Sequence, residues 1–430
     1  MMSPWTHEPG SPAGGNQPRS GIPDAPPQYA FVLGLGENGY GVVRALAERG
    51  VALVGFHREH AEFGRYSRLC EARFLAPSLD DAAICRELVA QARRCGGRPV
   101  LVPTSDEYAA LLASRASLLA PHFLFHWVDE DCLADIIDKA RILRICELAG
   151  VPVPRTRVTV ANDDPASLAR EMVYPCLIKP NRSFRTPFPA GLKNFVAATR
   201  DQLVGFYRSQ PHLLGATICQ EVIAGGDGDI FQCTVLAGRS AGTPVLFSTR
   251  KLHQYPPGYG VMCFGRSESN PVVESMTLRM LEQLQYRGLA SLEFKYRPAD
   301  GTFHFIEMNP RLPWYNQLFA TAGVNLAHLA YLDLTGGALP VPRAMQNNGV
   351  YWLSLKLDFG WFLRTRRSAA MPLLSWLLSI ARARSHAWFN WFDPHPFARA
   401  SLDLLGMLMQ RLFFRHAGAP RARPARSTGR

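Results

Sequence analysis

Two apolar segments in the second half of the chain, residues 289–296 (LASLEFKY) and residues 303–311 (FHFIEMNPR), constrain its fold most strongly. Both are rich in the aromatic and aliphatic residues of strands, and the RPADGT sequence between them is a turn signal. The pattern predicts an antiparallel hairpin. If residues 299–301 form a three-residue loop with the glycine in the left-handed conformation, Glu293 and Glu307 lie opposite each other.

The acids of this hairpin predict a metal site. Glu307 and Asn309 are two residues apart on a strand, so both side chains point to one face. Two carboxylates held close among apolar neighbours would repel each other, and burying them unpaired is costly. Carboxylate and amide oxygens suit a hard cation, so Glu293, Glu307 and Asn309 are expected to bind Mg²⁺ or Mn²⁺. Arg311 would add a planar donor for an anion beside the metal.

The alternative for the same hairpin is a surface element with two solvated acids, since most glutamates are surface charges. The apolar neighbours of both acids and the NPR ending of the second segment argue against this interpretation.

Strands alternate with helices in the first part of the chain. Apolar strands are predicted at YAFVLGLG, VALVGFH and PVLVPTS, with helical patterns after the first and the third. This alternation predicts a parallel α/β domain over residues 28–120. The preceding residues 1–27 are rich in Pro, Gly and Ser, and we expect them to be disordered.

A glycine pattern follows the first predicted strand, with Gly34, Gly36 and Gly39 at the spacing of the dinucleotide-binding fingerprint. A nicotinamide-binding domain should end its second strand with an acid for the ribose, whereas here that strand ends in His57 and Arg58. Arg58 could take a 2′-phosphate, so a dehydrogenase stays open as an alternative. The other interpretation is that the glycines allow tight strand–helix packing.

The hairpin acids and the IEMNPR sequence resemble the metal-binding end of the ATP-grasp superfamily, and RLPWYNQLFATAGVNLAHLAYLDLTG is similar to its downstream helix. Over residues 28–340 the chain resembles the predicted carboxylate–amine ligase branch, related to the D-aspartate ligases and to the large chain of carbamoyl-phosphate synthase. The RKLHQYPP sequence favours this branch over biotin carboxylase.

The resemblance implies a combined α/β and α+β architecture. A Rossmann-like pre-ATP-grasp domain over residues 28–120 would precede a two-lobed ATP-grasp domain over residues 121–340, with a hinge at residues 220–223. A helical basic extension over residues 341–416 and a disordered basic tail over residues 417–430 would follow.

The resemblance also implies roles for individual residues. Lys139, before a helix that ends in a Gly-x-Pro-x-Pro pattern, and Lys179, at the end of an apolar strand, would contact the phosphates of ATP. The hinge would bind the adenine through its backbone, with Glu221 as the acid for adenine or ribose and Asp229 as a weaker candidate. The four hinge residues in this prediction are Gln220, Glu221, Val222 and Ile223.

Two adjacent cations, Arg250 and Lys251, would face the γ-phosphate or the acceptor carboxylate, as Arg311 would. A solvated strand edge is the alternative for this pair, as solvated side chains are for the lysines and hinge acids. Residues 182–188 contain arginines in place of the Gly- and Ser-rich flap of many ATP-grasp enzymes. Such a flap could hold phosphate by charge or could mean weak nucleotide binding.

The implied function is an ATP- and Mg²⁺-dependent ligase for small molecules. A substrate carboxylate would be activated as an acyl phosphate and joined to an amine, with ADP released. Two alternatives remain, namely an ATP-dependent carboxylase-like enzyme and a degenerate nucleotide-binding scaffold at a membrane. Fold alone does not choose the substrates, and the oligomeric state is left open.

Composition adds expectations about location. The nine cysteines are an odd number without a CxxC pair, which predicts reduced thiols in a cytoplasmic protein.

Residues 351–430 hold thirteen Lys or Arg and three Asp, a surplus of ten within a net charge of +12. No nucleic-acid-binding motif accompanies this charge. The apolar MPLLSWLLSI sequence is too short to span a bilayer. We expect the extension to pack on the body and to make some peripheral contact with the inner face of a membrane.

Overall fold

The computed structural model describes residues 28–126, 128–182, 188–189, 194–238, 242, 244–339, 346–366, 372–402 and 405–406. The tails predicted to be disordered, at residues 1–27 and 417–430, lie outside the described residues. So does most of the arginine-containing flap, apart from Arg182 and Phe188.

The first part of the chain forms a four-stranded, all-parallel sheet in the order β3-β2-β1-β4. Three of its four strands are almost continuously apolar because helices cover a parallel sheet on its faces, whereas the edge strand Glu71–Phe74 is more polar and partly exposed. The predicted parallel α/β domain is therefore confirmed. Its elements are β1 (Ala30–Leu33), α1 (Glu37–Ala47), β2 (Leu53–His57), β3 (Glu71–Phe74), α2 (Asp81–Cys95), β4 (Val100–Pro103), α3 (Asp106–Ser114) and α4 (Ala116–Leu119), with a 3-10 helix at Phe63–Tyr66.

The glycine pattern after β1 serves packing. A Cβ on Gly39 would lie 1.7 Å from the carbonyl oxygen of Gly34, and Gly34 has φ +91°. Arg58, the residue proposed for a 2′-phosphate, donates instead to the carbonyl of Pro77 at 2.6 Å. These contacts account for the glycines without a dinucleotide.

A four-stranded antiparallel sheet in the order β5-β8-β6-β7 forms the first lobe of the middle region. Two helices pack on it through a core that includes Leu168, Ile178 and Tyr207. The elements from residue 130 onward are α5 (Glu130–Ile137), α6 (Lys139–Leu148), β5 (Thr156–Val158), α7 (Pro165–Glu171), β6 (Cys176–Pro180), β7 (Phe195–Ala197), α8 (Arg200–Ser209) and β8 (Thr217–Glu221), with a 3-10 turn at Pro211–Leu213.

A seven-stranded sheet in the order β13-β12-β9-β10-β11-β14-β15 forms the second lobe. Its pairings are antiparallel except for the last, β14 with β15. Up to residue 335 its elements are β9 (Ile230–Ala237), β10 (Val245–Tyr255), β11 (Val261–Ser267), α9 (Pro271–Leu284), β12 (Gly288–Arg297), β13 (Thr302–Asn309), α10 (Gln317–Thr321) and α11 (Leu326–Thr335), after a 3-10 turn at Asp227–Asp229.

The C-terminal extension differs from the prediction because it is not only helical. It contains β14 (Tyr351–Leu353), α12 (Leu355–Thr365), α13 (Leu373–Ile380) and β15 (Ala383–His386), and both strands extend the large sheet. Trp352 of β14 is fully buried in a core shared with β1 and α11. The proposed boundaries at residues 120 and 340 stay a prediction, since this core crosses both.

None of the helices in the described ranges is long and apolar enough to cross a membrane. The nine cysteines are free thiols, and burial raises the pKa of each of them, as for Cys176 to about 11.

Candidate active site

A cleft of about 890 Å³ lies between the two lobes. Side chains from β6 and β8 line one wall, and side chains from β9, β10, β12 and β13 line the other. The chain segment between β8 and β9 forms one end of the cleft. Most of the residues predicted to act in catalysis or binding meet here.

The hairpin of β12 and β13 places Glu293 directly opposite Glu307, as predicted. The route to this register differs from the three-residue loop considered above. Arg297 pairs with Thr302, so the turn has four residues, and its Gly301 has φ +72°. One extra residue in β13, Ile306, forms a bulge that restores the pairing of the two acids.

The two acids have different surroundings. The Glu293 carboxylate accepts from Lys251 Nζ at 3.1 Å and from the amide of Gln232. Burial, together with the charge of Glu307, raises the pKa of Glu293 despite the nearby lysine. Glu307 opens onto the cleft and accepts from Asn309 Nδ2 at 3.2 Å. Although burial opposes it, this hydrogen bond and the charge of Lys179 lower the pKa of Glu307.

The donor set fits a hard divalent cation. Two facing carboxylates and the amide oxygen of Asn309 supply oxygen ligands, and phosphate oxygens and water would complete the shell. In the described part of the chain, no three His, Cys, Asp or Glu side chains cluster as a metal site would require. A cation held by Glu293, Glu307 and Asn309 would therefore depend on the substrate for further ligands.

Both predicted phosphate ligands line the same cleft. Lys179 lies at the end of β6, where burial and the charge of Lys139 lower its pKa to about 8. Lys139 is the first residue of α6, and burial lowers its pKa as well. The α6 N-terminus is capped by Asp138, which accepts from the backbone of Ala140 at 3.1 Å. This cap fixes the position of Lys139 at the mouth of the cleft.

A small polar cluster supports that cap. Arg182 Nε lies 3.0 Å from Asp138, and Asn181 Nδ2 lies 3.0 Å from it. Although burial opposes it, hydrogen bonds from Arg182 and Asn181 lower the pKa of Asp138. The one described arginine of the predicted flap is thus bonded to a helix cap in this state.

The predicted hinge joins β8 of one sheet to β9 of the other. Residues 220–223 line the cleft. Glu221, the predicted adenine or ribose acid, forms an ion pair with Arg297 at 2.7 Å. The backbone N–H of Val222 donates to the carbonyl of Pro175 at 3.3 Å, and Gln220 Nε2 donates to Thr156 Oγ1 at 2.8 Å.

The two predicted cations of β10, Arg250 and Lys251, point to opposite faces of the sheet. Lys251 is buried in the cleft wall beside Glu293. Arg250 does not line the cleft; its guanidinium donates to the carbonyl of Gly228 at 2.7 Å and lies over the ring of Phe231. The prediction of a direct role for Arg250 is therefore not supported by its position, because successive strand residues point to opposite faces.

Two further predicted residues, Asp229 and Arg311, form hydrogen bonds with other residues of the protein. Asp229 caps the turn before β9 by accepting from the backbone N–H of Gly226 at 2.7 Å, and it does not line the cleft. Arg311 lines the cleft, with its guanidinium held by Asp106 at 2.8 Å.

Sequence reasoning missed several polar residues of the site. Lys295 follows Glu293 by two positions on β12, which is a signal for the same face, and it donates to the carbonyl of Gly226. Asp106 begins α3, three positions after the carboxyl end of the parallel strand β4, where ligand contacts are common. Gln232 has no comparable signal, since only the pairing of β9 with β12 brings it to Glu293.

Another part of the cleft wall is rich in aromatic residues. Residues 254–260, called here the acceptor loop, line it except for Pro257, together with Trp314 and Tyr315. Asp227 holds this loop by accepting from Gln254 Nε2 at 2.7 Å and from the backbone N–H of Gly258 at 3.1 Å.

Comparison with known proteins agrees with this geometry. No protein-family model matches the chain. A D-aspartate ligase of Enterococcus faecium is 21% identical over 321 residues, which cover 70% of this chain and 76% of the relative.

Solved structures share the fold. An N5-carboxyaminoimidazole ribonucleotide synthetase, in a complex with ADP, superposes with a TM-score of 0.61 and 15% identity over 80% of this chain and 85% of that one. The biotin carboxylase domain of the Hydrogenobacter thermophilus 2-oxoglutarate carboxylase gives a TM-score of 0.59 and 17% identity over 75% and 73%. The chain therefore resembles a D-aspartate ligase in sequence and shares the fold of these two enzymes, which agrees with the ATP-grasp resemblance found in its sequence.

Proposed function

We propose that this protein is an ATP-dependent ligase that activates a small-molecule carboxylate as an acyl phosphate and joins it to an amine. The observation that carries the proposal is the facing pair Glu293 and Glu307, which shares one cleft with Lys139 and Lys179. Two acids beside two half-buried cations suit a metal-bound triphosphate. The D-aspartate ligase relative and the ADP-bound neighbours support the same reaction class.

The first step is transfer of the γ-phosphoryl group. A carboxylate oxygen of the substrate attacks the γ-phosphorus, and the bond from that phosphorus to the β–γ bridging oxygen breaks to release ADP. Lys179 and Lys139 neutralise phosphate charge in a cleft with limited access to water. A bound Mg²⁺ or Mn²⁺, held by Glu293, Glu307 and Asn309, would supply Lewis-acid stabilisation of the phosphate oxygens.

The second step forms the amide bond. The amine nitrogen attacks the acyl carbon, the bond from that carbon to the phosphate oxygen breaks, and the amine proton leaves with the phosphate. Arg311, fixed by Asp106, would orient the acyl phosphate or the acceptor carboxylate. The acceptor loop and Trp314 exclude water, which would otherwise hydrolyse the acyl phosphate.

Nucleotide binding at the hinge completes the proposal. Residues 220–223 would contact the adenine. Glu221 would contact the adenine or the ribose. To do so, its carboxylate must either bind the nucleotide and Arg297 together or break its ion pair with Arg297. We propose that Lys251 acts first on Glu293 and contacts the substrate only after a cation has bound.

The experiment is Mg²⁺-dependent ADP release in the presence of pools of amino acids and other carboxylates. One pool should drive ADP and phosphate release, and Glu307→Gln should abolish it. Glu282→Gln, an exposed acid of α9, is the matched control and should leave the rate unchanged. Absence of any Mg²⁺-dependent ATP binding would refute the proposal.

Bicarbonate belongs in the pools because two structural neighbours are carboxylating enzymes. Release of ADP driven by bicarbonate and not by organic carboxylates would favour the carboxylase alternative. Tight ATP binding without turnover in every pool would favour the scaffold alternative.

The substrates of such a ligase are small molecules. We further propose a cytoplasmic location, with peripheral membrane contact through the basic C-terminal extension. The distribution of charge supports this proposal, since a surplus of ten of the net charge of +12 lies in residues 351–430.

A further inference from the structure

The two helices of the C-terminal extension carry an exposed apolar surface. On α12 the exposed residues follow each other at intervals of four, and on α13 they occur as two adjacent pairs, so each helix presents one stripe. Their side chains are between 45% and 67% exposed. This surface, called here the leucine face, consists of Leu355, Phe359, Leu363, Leu373, Leu374, Leu377 and Leu378.

The two stripes border each other. Trp376 of α13 is buried against α12, with its ring 4.9 Å from that of Phe362 and 5.7 Å from that of Phe359. Its indole N–H donates to the buried carboxylate of Asp358 at 2.8 Å. The helices are therefore fixed to each other from the inside, and their large apolar side chains remain on the outside. Contiguous apolar surfaces of this kind mark sites of interaction.

The exposed charge of the described part of the extension has one sign. Within the described residues 351–402, both aspartates, Asp358 and Asp393, are completely buried. The basic side chains in the same range are exposed on the surface. They are Lys356, Arg364, Arg366, Arg382, Arg384 and Arg399. A surface that combines exposed leucines with positive charge and shows no acid complements an anionic lipid bilayer.

We propose that the leucine face docks on an anionic membrane surface, with α12 and α13 lying in the headgroup region. The helices have 11 and 8 residues and cannot span a bilayer. Apolar side chains would enter the acyl boundary, while the arginines would contact lipid phosphates. Two exposed aromatic residues of the same extension, Trp391 and Phe392, suit the interface as well.

The leucine face is linked to the cleft through helix α12. Trp361 of this helix donates its indole N–H to Asp227 at 3.0 Å, and Asp227 holds the acceptor loop. The helix α12 therefore carries part of the leucine face and also contacts the residue that holds the acceptor loop. This part of the inference rests on the proposed ligase function, and it points to an acceptor or product that resides in or near the membrane.

The test is sedimentation of the full chain with vesicles, measured without nucleotide so that its outcome does not depend on the ligase activity. Vesicles of phosphatidylglycerol and phosphatidylcholine should bind the protein at low salt, and pure phosphatidylcholine vesicles should bind it much more weakly. Leu374→Glu combined with Leu378→Glu should weaken binding at least about tenfold, because two exposed leucines would no longer enter the acyl boundary.

Leu118→Glu combined with Leu148→Glu is the matched control, since both leucines are exposed on the body of the protein. Equal loss of binding in the control variant would overturn the proposal, and so would binding that ignores lipid charge. Absence of vesicle binding would overturn it as well. If sedimentation equilibrium shows a dimer that only the α13 variant disrupts, a second copy covers the leucine face and the membrane proposal is wrong.

Discussion

Replacement of Lys179 by methionine should stabilise the free protein while it abolishes nucleotide binding. Burial and the charge of Lys139 hold the pKa of Lys179 at about 8, against an ordinary value of 10.5. The folded state therefore opposes the charge of this side chain. Methionine has a similar shape and carries no charge, so it removes that cost.

The magnitude follows from the pKa difference. At about 1.4 kcal/mol per pH unit, the gap between 10.5 and about 8 corresponds to a cost of about 3 kcal/mol at pH 7. Between the two pKa values the unfolded chain binds more protons than the folded chain, so stability rises with pH there. Lys179 should contribute a rise of about 2 kcal/mol in the free energy of unfolding between pH 7 and pH 9.5.

The assay is urea unfolding at pH 7 and pH 9.5. The wild-type protein should show this rise, Lys179→Met should lack it, and Lys356→Met, at an exposed position of α12, should retain it. If Lys179→Met follows the same pH dependence as the wild type, the pKa of Lys179 is not lowered in the folded protein, and the electrostatic description of the cleft is wrong.

The same pKa predicts proton uptake when a nucleotide binds. Lys179 is about half protonated at pH 8 in the free protein, and a bound phosphate would keep it charged. Calorimetric titration in two buffers of different ionisation enthalpy should show uptake of about 0.5 proton at pH 8 and about 0.1 at pH 7. Lys179→Met should bind the nucleotide too weakly to measure.

Three further changes test other parts of the structure. Lys251→Met should strengthen Mn²⁺ binding in the presence of a non-hydrolysable ATP analogue by about tenfold, since the amine 3.1 Å from Glu293 repels an entering cation; weaker binding, measured by electron paramagnetic resonance, would show that the lysine supports the metal. Trp361→Phe removes the indole donor to Asp227 and should increase hydrogen exchange of the acceptor-loop amides, whereas unchanged exchange would mean that the loop is held independently. Asp393→Asn should lower the free energy of unfolding by about 2–4 kcal/mol in urea, because it disrupts a buried carboxylate network; a loss below about 0.5 kcal/mol would contradict this description.

The hairpin could be predicted because local sequence determines its register, whereas the family resemblance pointed to Lys139 and Lys179, whose contact with phosphate stays a prediction. Glu293 and Glu307 are embedded in apolar strands joined by a short turn, so few registers are possible. Lys179 lies near the end of strand β6, and Lys139 begins a helix with a capping aspartate before it. Each position is fixed by a single element or by one hairpin.

The features that the sequence did not place correctly depend on contacts between distant parts of the chain. Arg250 and Lys251 are equivalent as a dipeptide, and only the packing of the two lobes selects Lys251. The strands of the extension have three and four residues and pair with partners distant in sequence, so no local period identifies them. The bulge at Ile306 cannot be predicted from the local sequence either, because it is defined by the pairing of β13 with β12.

The extension also completes the first domain, which affects how the chain is made. Asp393 accepts from Tyr40, 353 positions earlier, and from Ser67 Oγ at 2.6 Å. The guanidinium of Arg44 in α1, itself almost fully buried, donates to the carbonyl of His386 at 2.9 Å. On a ribosome that adds about 5–20 residues per second, these donors wait roughly 20 to 70 seconds for their acceptors. Until the extension is made, these donors of the N-terminal domain lack their native acceptors, so the final packing of this domain must follow synthesis of the extension.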